Sequence, residues 1–590
     1  MRTLAHVTHE AVEKVGGIGA VLQGLLTCNA YRGRDQRTIL IGPTFVTEGS
    51  ADGRLGASGE VLYSSVDGVT QHPVGRLLDQ VRRDFHVEII YGYRRFHDPH
   101  TGVRVAAEVV LIDVSRMNPH LVNSFKGRLW ETYGIDSSRY ESSWDYDMYV
   151  RLAEPALAAL KALGAADSDD ECVILAHEFM GLPTALAARL DPSGVFRTVF
   201  YAHEVAAIRK LVEEHPGHDV TFYNVLSGAM NRGRYLDQVF GSQDHYHRHA
   251  LVKRSRFCDR IFSVGDYVTK ELFFIGPEFA DAAIDTVYNG IPAERISVAE
   301  KRVAQERMRD YAETLLGDRP DYIFTHVARM AVSKGLWRDL AVLEHLEREF
   351  RRIGKTAVLF VLSTEVPPRR PEDVREMERW WHWPLAHREV GSDLSHGEAV
   401  YYQGVQVFNA RSRMIKAIYV NQFGWEQAVC GSRMPQDMTF MDIRRASDVE
   451  FGMSIYEPFG IAQFEPLTFG AICVPSRVCG CVGFLDKITG GATVPNVFVA
   501  DYCDLGPGRW DEKKLLALDR DQRTQHEYKV AERIARYIID TLPQTDAQAE
   551  EFLRSGYDLA GRMSWDVVAG RYILPAIDAI CAKKAGSQVA

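Results

Sequence analysis

Short apolar runs alternate with amphipathic stretches along this chain, and the alternation starts afresh near residue 322. TLAHVTHE, TILIGPTF, VEIIYG, AEVVLIDV, ECVILAHEF, RTVFYAHE and DRIFSVGD make the first series, most of them ending in polar residues. YIFTHVARM, AVLFVLST, SDVEFGMS, AICVPS and NVFVAD make the second, with KGLWRDLAVLEHLEREF as a helix of three-and-four spacing. Apolar strands alternating with helices predict a parallel sheet covered on both faces, an α/β class. At 590 residues the chain exceeds a single core, so two domains are expected, with three as the alternative. The join falls in VYNGIPAERI, giving one Rossmann-like, doubly wound unit over 1–293 and another over 294–560. A last helix over 561–590 starts near Ser564 and runs through SWDVVAGRYILPAI, where Pro575 should kink or end it. Residues 365–445, with WWHWP, YYQGVQVF and FNARSRMIKAIYV, read as an insert in the second unit.

Several classes drop out. No window approaches the roughly 18 unbroken apolar residues of a membrane helix. A net charge of −10 with both signs mixed argues against a general nucleic-acid binder. The nine cysteines are scattered and odd in number, which suits free thiols in a reducing compartment. Cys473, Cys479 and Cys481 lack a fourth ligand at a usual zinc spacing. In HYHRH, alternate helical residues point about 200° apart, so His245, His247 and His249 do not converge on one metal. MRTLAHVTHEAVEKV has no apolar leader core, so a cytoplasmic location is expected.

Three stretches carry chemistry. KVGGIG, Lys14 to Gly19, puts glycines between a strand and a helix, where unpaired N–H groups suit a phosphate; a dinucleotide fingerprint or a plain tight turn are the other readings. HVARMAVSKG sets Arg329 and Lys334 just past a strand, where two cations can clamp a pyrophosphate, or stand solvated on a loop. SIYEPFGIAQFEPLTFG places Glu457 after a strand, Pro458 in the first turn of a helix, and Glu465 over a turn inside it. Gly460 permits close approach of a ligand, and Ile461, Phe464, Leu467 and Thr468 form a buried face. Carboxylates at two levels, with a helix tip between, suit the two sets of hydroxyls and the diphosphate of a nucleotide sugar; two surface glutamates are the bland alternative.

Five motifs then resemble a known family in order over nearly the whole chain. E-P-F-G-x-x-Q-x-E-x-L-x-x-G resembles the donor-site motif of retaining GT-B glycosyltransferases, and H-V-T-H-E-x(3)-K-V-G-G-I-G the opening of glycogen and starch synthases. V-A-R-M-x(3)-K-G, Y-N-G-I-P and M-S-W-D-V-V-A-G-R-Y resemble that family's Arg/Lys motif, domain junction and final helix. DVTFYNVL and YHRHALVKRSRFCDRIFSVGDYVTKEL lean to the animal and fungal type, the EPFG segment to the bacterial and plant type. The resemblance implies a GT-B fold of two Rossmann-like domains facing a central cleft, with the C-terminal helix crossing back to the N-terminal domain.

The same resemblance implies roles for single residues. Arg329 and Lys334 bind the donor diphosphate; Glu457 contacts the transferred sugar and Glu465 the ribose; Lys14, Gly16 and Gly17 approach the donor phosphates, with Phe459 and Gly460 beside them. His203 matches the histidine near the reacting carbon, while His177, Glu178 and Glu10 fall on the acceptor side. Val478 to Gly483 departs from the family's glycine pair after the donor helix, Glu204 replaces an asparagine after His203, and the insert has no counterpart. Trp380, Trp381 and Trp383 would stack on a glucan, pack the insert or meet a second subunit.

The expected donor is ADP- or UDP-glucose and the acceptor glycogen or a maltooligosaccharide, transferred with retention, without metal or cofactor, in a possible homo-oligomer. A transferase with a small acceptor, of sucrose- or trehalose-forming type, is the alternative; a catalytically inactive glucan-binding homologue and an NAD-dependent oxidoreductase stand further off.

Overall fold

The structure, a computed structural model, describes all residues except 1, 13–15, 46–50, 57, 71, 167–170, 368, 389–392, 509 and 588–590. The chain divides into two compact units: Met1–Ile208, Ala229–Gly290 and Trp565–Ala590 form the first, Arg209–Gly228 and Ile291–Ser564 the second. Residues 209–228 thus group with the second unit, a crossing that no composition shift announces.

The first unit is built on a ten-stranded sheet. Its strands are β1 (Arg2–Val7), β2 (Gln36–Pro43), β3 (Glu60–Ser64), β4 (Val69–Thr70), β5 (Glu88–His97), β6 (Arg104–Asp113), β7 (Cys172–His177), β8 (Phe196–Ala202), β9 (Arg260–Ser263) and β10 (Ile284–Thr286). They lie in the order β10-β9-β8-β7-β1-β2-β6-β5-β3-β4. From β10 to β6 all neighbours are parallel, and β1 at the centre is buried but for Arg2. The expected parallel sheet is there, with an antiparallel extension at one edge. β5 and β6 pair antiparallel from Glu88↔Asp113 to His97↔Arg104, and β3 and β4 extend that edge antiparallel. The connection from His97 to Arg104 is too short for a crossover helix, so only a hairpin can form.

The second unit has a five-stranded sheet of β11 (Tyr322–Val327), β12 (Ala357–Leu362), β13 (Ile415–Val420), β14 (Val449–Gly452) and β15 (Ile472–Pro475), all parallel, in the order β13-β12-β11-β14-β15. The strand order reverses between β11 and β14, and in such sheets ligands bind at the carboxyl ends of the strands beside that reversal. Residues 365–445 are not external to the sheet, as an insert would be, because their IKAIYV run is the edge strand β13. NVFVAD, expected as a further strand, adds only isolated bridges, Cys473↔Val497 and Ser476↔Ala500. The helix Trp337–Ile353 buries Val342, Leu343, Leu346 and Phe350 against the sheet, where Phe350 meets Phe324 edge-on.

The last helix runs on through Pro575. A π-helical turn over Ala569–Ile573 lies just before Leu574–Ser587, and such a widened turn accommodates a proline that lacks N–H and would crowd the preceding turn. Trp565 at its start fills the space that Gly24 and Gly290 leave open: a Cβ on either would lie within 2.5 Å of the tryptophan. Among the described residues no helix is long and apolar enough to cross a membrane. The nine cysteines are all free thiols.

Candidate functional site

In the second unit, the loops after β11 and β14 are stitched together by their own backbones. The amides of Ile455 and Tyr456 donate to the Ser333 carbonyl at 2.8 and 3.2 Å. Gly335 turns the chain at φ +62°, and a Cβ there would stand 2.7 Å from the Met453 carbonyl oxygen. Lys334, in the single turn Val332–Lys334, is thereby aimed at Glu457: Nζ lies 2.5 Å from Oε2, although the two residues are 123 apart in sequence. Both side chains are largely buried. Gln463 Nε2 donates to Ser454 Oγ at 2.8 Å and to Glu457 Oε2 at 3.3 Å, a second donor on the same carboxylate oxygen. Arg329 stands exposed on the same loop.

The helix expected from Pro458 onward does not form. The chain makes one α-turn at Ile461–Phe464, then a 3-10 turn at Glu465–Phe469. Gly460 precedes them at φ +92°, and Pro466, without an N–H, breaks the ladder. Phe464, Leu467 and Thr468 are buried as expected, while Ile461 is only partly so. A single turn carries little dipole, so the phosphate-facing helix tip expected here is absent. Glu465 is engaged by buried Arg444, whose Nε lies 2.9 Å from Oε2; the same guanidinium holds Glu450 at 3.1 Å. A ribose would meet only the remaining lone pairs of Glu465.

The departure at Val478 to Gly483 has a structural use. The helix Gly480–Thr489 spends its first amides on the EPF segment: Gly480 N donates to the Glu457 carbonyl at 3.0 Å and Cys481 N to the Phe459 carbonyl at 2.8 Å. A Cβ on Gly480 would fall 1.8 Å from the Pro458 carbonyl oxygen. Gly480→Ala is therefore expected to push the EPF segment off the helix and displace Glu457, with a stability loss of about 1–3 kcal/mol from overpacking. Thermal unfolding together with nucleotide binding checks this; a variant unchanged in both refutes the contact's importance.

In the first unit the predicted residues gather at the carboxyl ends of β1, β7 and β8. Glu10, 1% exposed, accepts from the amides of Gly16 (2.9 Å) and Gly19 (2.7 Å) through Oε2. The N–H groups expected to cradle a phosphate are thus partly filled by the chain's own carboxylate, as an N-cap would fill them. Gly17 is exposed, with open space where a side chain would be. Lys14 lies outside the described residues. Glu178 is buried at φ +57°, a conformation strained for any residue but glycine. Its Oε1 accepts from the Glu204 amide at 2.6 Å. Burial, then the nearby Glu204 charge, push its carboxyl well above the usual range.

His177, buried, and His203, half-buried, belong to a file that also takes in buried His6, the first residue of the H-V-T-H-E motif, to which the resemblance gives no role. His6 Nδ1 meets His177 Nε2 at 2.9 Å, and His177 Nδ1 meets His203 Nε2 at 2.8 Å. The His177 and His203 rings lie end to end and nearly coplanar, 10° apart with centroids 5.1 Å apart, and Tyr201 stacks on both. Burial lowers the imidazoles, His6 and His203 to about 3 and His177 well below its ordinary value. Groups held neutral this way bind fewer protons folded than unfolded, so their contribution to stability is intact above about pH 6.5 and falls as pH drops towards 3. His203→Asn should flatten that slope in melting temperatures taken between pH 7 and pH 4. A slope unchanged by the substitution would contradict the neutral state.

Other candidates do not assemble. Trp383 is fully buried and donates to Asn421 Oδ1 at 2.7 Å, Trp381 donates to Asp393 at 2.9 Å, and Trp380 alone is exposed, so the three form no stacking platform. His247 pairs with Asp145 at 3.1 Å while His249 is buried and His245 exposed. Among the described residues no group of three or more His, Cys, Asp or Glu side chains is arranged to hold a metal ion.

Two Rossmann-like units, the second with the Lys334–Glu457 pair at its topological switch, make up a GT-B fold. Among solved structures, the catalytic domain of starch synthase IV from Arabidopsis thaliana, bound to ADP and acarbose, is similar at TM-score 0.51 and 14% identity, with 98% of this chain and 99% of that chain covered. The UDP-forming α,α-trehalose-phosphate synthase of Burkholderia vietnamiensis is similar at TM-score 0.50 and 14% identity, with both chains covered fully (100% each). The N-terminal domain of trehalose-6-phosphate phosphatase from Candida albicans is similar at TM-score 0.50 and 11% identity, over 98% of this chain and 96% of that one. Compared by sequence with family models and with curated proteins, the chain has no match.

Proposed function

We propose that the chain is a retaining glycosyltransferase that moves glucose from ADP- or UDP-glucose to the non-reducing end of an α-1,4-glucan such as glycogen, in the cytoplasm and without a metal. The observation that carries the reading is the Lys334–Glu457 pair, a cation and a carboxylate brought together at the carboxyl ends of β11 and β14. In this reading Lys334 and Arg329 take the charge of the diphosphate as it leaves, and Glu457 accepts hydrogen bonds from hydroxyls of the transferred sugar. The acceptor oxygen attacks from the face the diphosphate leaves, and the diphosphate takes the acceptor's proton. No carboxylate nucleophile is required, so the barrier falls chiefly through preorganised positive charge. The resemblance assigns His203 to the transferred sugar.

Fold likeness to a starch synthase bound to ADP and acarbose supports a glucan acceptor. Fold likeness of equal extent to a trehalose-phosphate synthase supports the second reading, a small phosphorylated or free sugar as acceptor. The test is release of nucleoside diphosphate from ADP-, UDP- and GDP-glucose, each with glycogen, with glucose 6-phosphate or alone, and with Glu457→Ala as control. Release that needs glycogen and lengthens it is the expected result. Release only with the small sugar replaces the first reading by the second, and none with any pair overturns both.

A further inference from the structure

Three imidazoles stand in file across adjacent strands of the first unit: His6 in β1, His177 at the end of β7 and His203 just past β8. Their facing nitrogens are 2.9 and 2.8 Å apart, which is hydrogen-bond distance, so each facing pair has one donor and one acceptor. A neutral imidazole carries a single N–H. In a file of neutral rings the protons therefore all point the same way, and the proton at one end fixes the proton at the other.

The inner end is closed by two hydroxyls. His6 Nε2 meets the Tyr31 hydroxyl at 3.4 Å, and that hydroxyl meets Thr38 Oγ1 at 2.9 Å. Two polarities satisfy these contacts; the one in which Thr38 donates to Tyr31 and Tyr31 to His6 Nε2 pairs the better acid, a phenol, with the better base, an imidazole nitrogen, and is the favoured one. His6 then carries its proton on Nδ1 and gives it to His177 Nε2. His177 in turn donates from Nδ1 to His203 Nε2. The remaining proton of His203 sits on Nδ1, which is offered as a donor. In the reverse polarity the same nitrogen would present a lone pair.

We propose that Tyr31 and His6 are positioning residues which, acting through His177, set the tautomer of His203 and so make it a hydrogen-bond donor. Its functional side rests on the reading of His203 as a residue at the transferred sugar; a donor there suits a sugar hydroxyl oxygen. His9 is the titratable group that acts on the file from a neighbouring segment, Glu178 beside it takes a hydrogen bond from the His203 backbone and feels the Glu204 charge, and Tyr201 stacks on the outer two rings. Neutral rings are needed throughout, and the burial of His6 and His177 keeps them so.

The test is a tautomer-sensitive proton–nitrogen spectrum of the full chain labelled with 15N-histidine, with the His203 signals assigned by their loss in His203→Asn. The wild-type chain should show His203 protonated on Nδ1 alone. Tyr31→Phe removes the terminal donor and should turn His203, two rings away, into a mixture of tautomers; His6→Phe should do the same. A wild-type His203 protonated on Nε2 overturns the proposal whatever the variants' stability, as does a His203 unmoved in two folded variants. In the glucosyl-transfer assay Tyr31→Phe should lower kcat roughly fivefold, the worth of one hydrogen bond, with product-diphosphate affinity unchanged. A shifted tautomer with full kcat would remove the functional side. The spectrum needs no substrate, so failure of the transferase reading leaves it standing.

Discussion

Lys334→Ala is expected to fold and to lose turnover by roughly two to three orders of magnitude, the equivalent of about 2.7–4 kcal/mol in barrier. The fold should survive because nothing rests on the ammonium itself. The turn around it is held by backbone bonds to Ser333 and by Gly335, and Glu457 keeps Gln463 as a partner. Turnover should not survive, because the charge that develops on a departing diphosphate would lose the cation best fixed to meet it. Arg329 on the same loop is exposed and less constrained. The effect should fall on kcat more than on KM, since an interaction that grows as charge develops binds the transition state better than the ground state. Glu457→Gln makes the complementary case: it keeps the shape and the Gln463 contact but removes the charge that now holds Lys334. Diphosphate affinity should rise in that variant while transfer falls. Steady-state nucleotide release with the preferred donor checks both, and a Lys334→Ala chain with near-normal kcat would remove Lys334 from the chemistry.

Much of this arrangement is legible in the amino-acid sequence. Apolar runs mark most strands of both sheets, since a strand buried on both faces must be apolar throughout. The Arg329–Lys334 loop and Glu457 fall at strand ends, and the strand order puts those ends side by side. What the sequence conceals is what depends on distant partners. His6 opens the H-V-T-H-E motif but sits inside an apolar strand with no local partner to give it a role; its meaning comes from His177, 171 positions away. Glu10 looks like a site carboxylate, yet its own chain six and nine residues on occupies its Oε2. The edge strand β13 is hidden because its neighbours in sequence are helices and tryptophans that resemble nothing in the rest of the unit. Arg444 carries no motif at all, although it decides how much of Glu465 is left for a ligand.

Arg338 is equally unmarked by any motif, and its removal should cost the most stability. Its guanidinium is fully buried and grips Asp219 with two parallel bonds of 2.7 and 3.0 Å. Its Nε donates to Glu527 at 2.9 Å, one terminal nitrogen donates to the Met453 carbonyl at 3.1 Å, and the plane lies 3.7 Å over the Tyr502 ring. Four separate segments of the second unit thus close on one side chain, among them residues 209–228 and the strand end that leads to Glu457. Arg338→Ala would leave Asp219 buried without its cation and Glu527 with only the Arg523 cation, at 3.6 Å, and should cost about 3–5 kcal/mol. Arg338→Lys should recover little of this, because a single ammonium cannot reproduce the planar fork that meets Asp219 and Glu527 at once. Arg338→Met combined with Asp219→Asn and Glu527→Gln should be milder than the sum, since no buried carboxylate is then stranded and Arg523, which loses Glu527, keeps the Pro216 carbonyl. Thermal unfolding and the rate of proteolysis within 209–228 measure these differences. The triple variant separates the two causes: if it proves as unstable as Arg338→Ala, the loss comes from packing and the Met453 bond, and the stranded charges are not responsible.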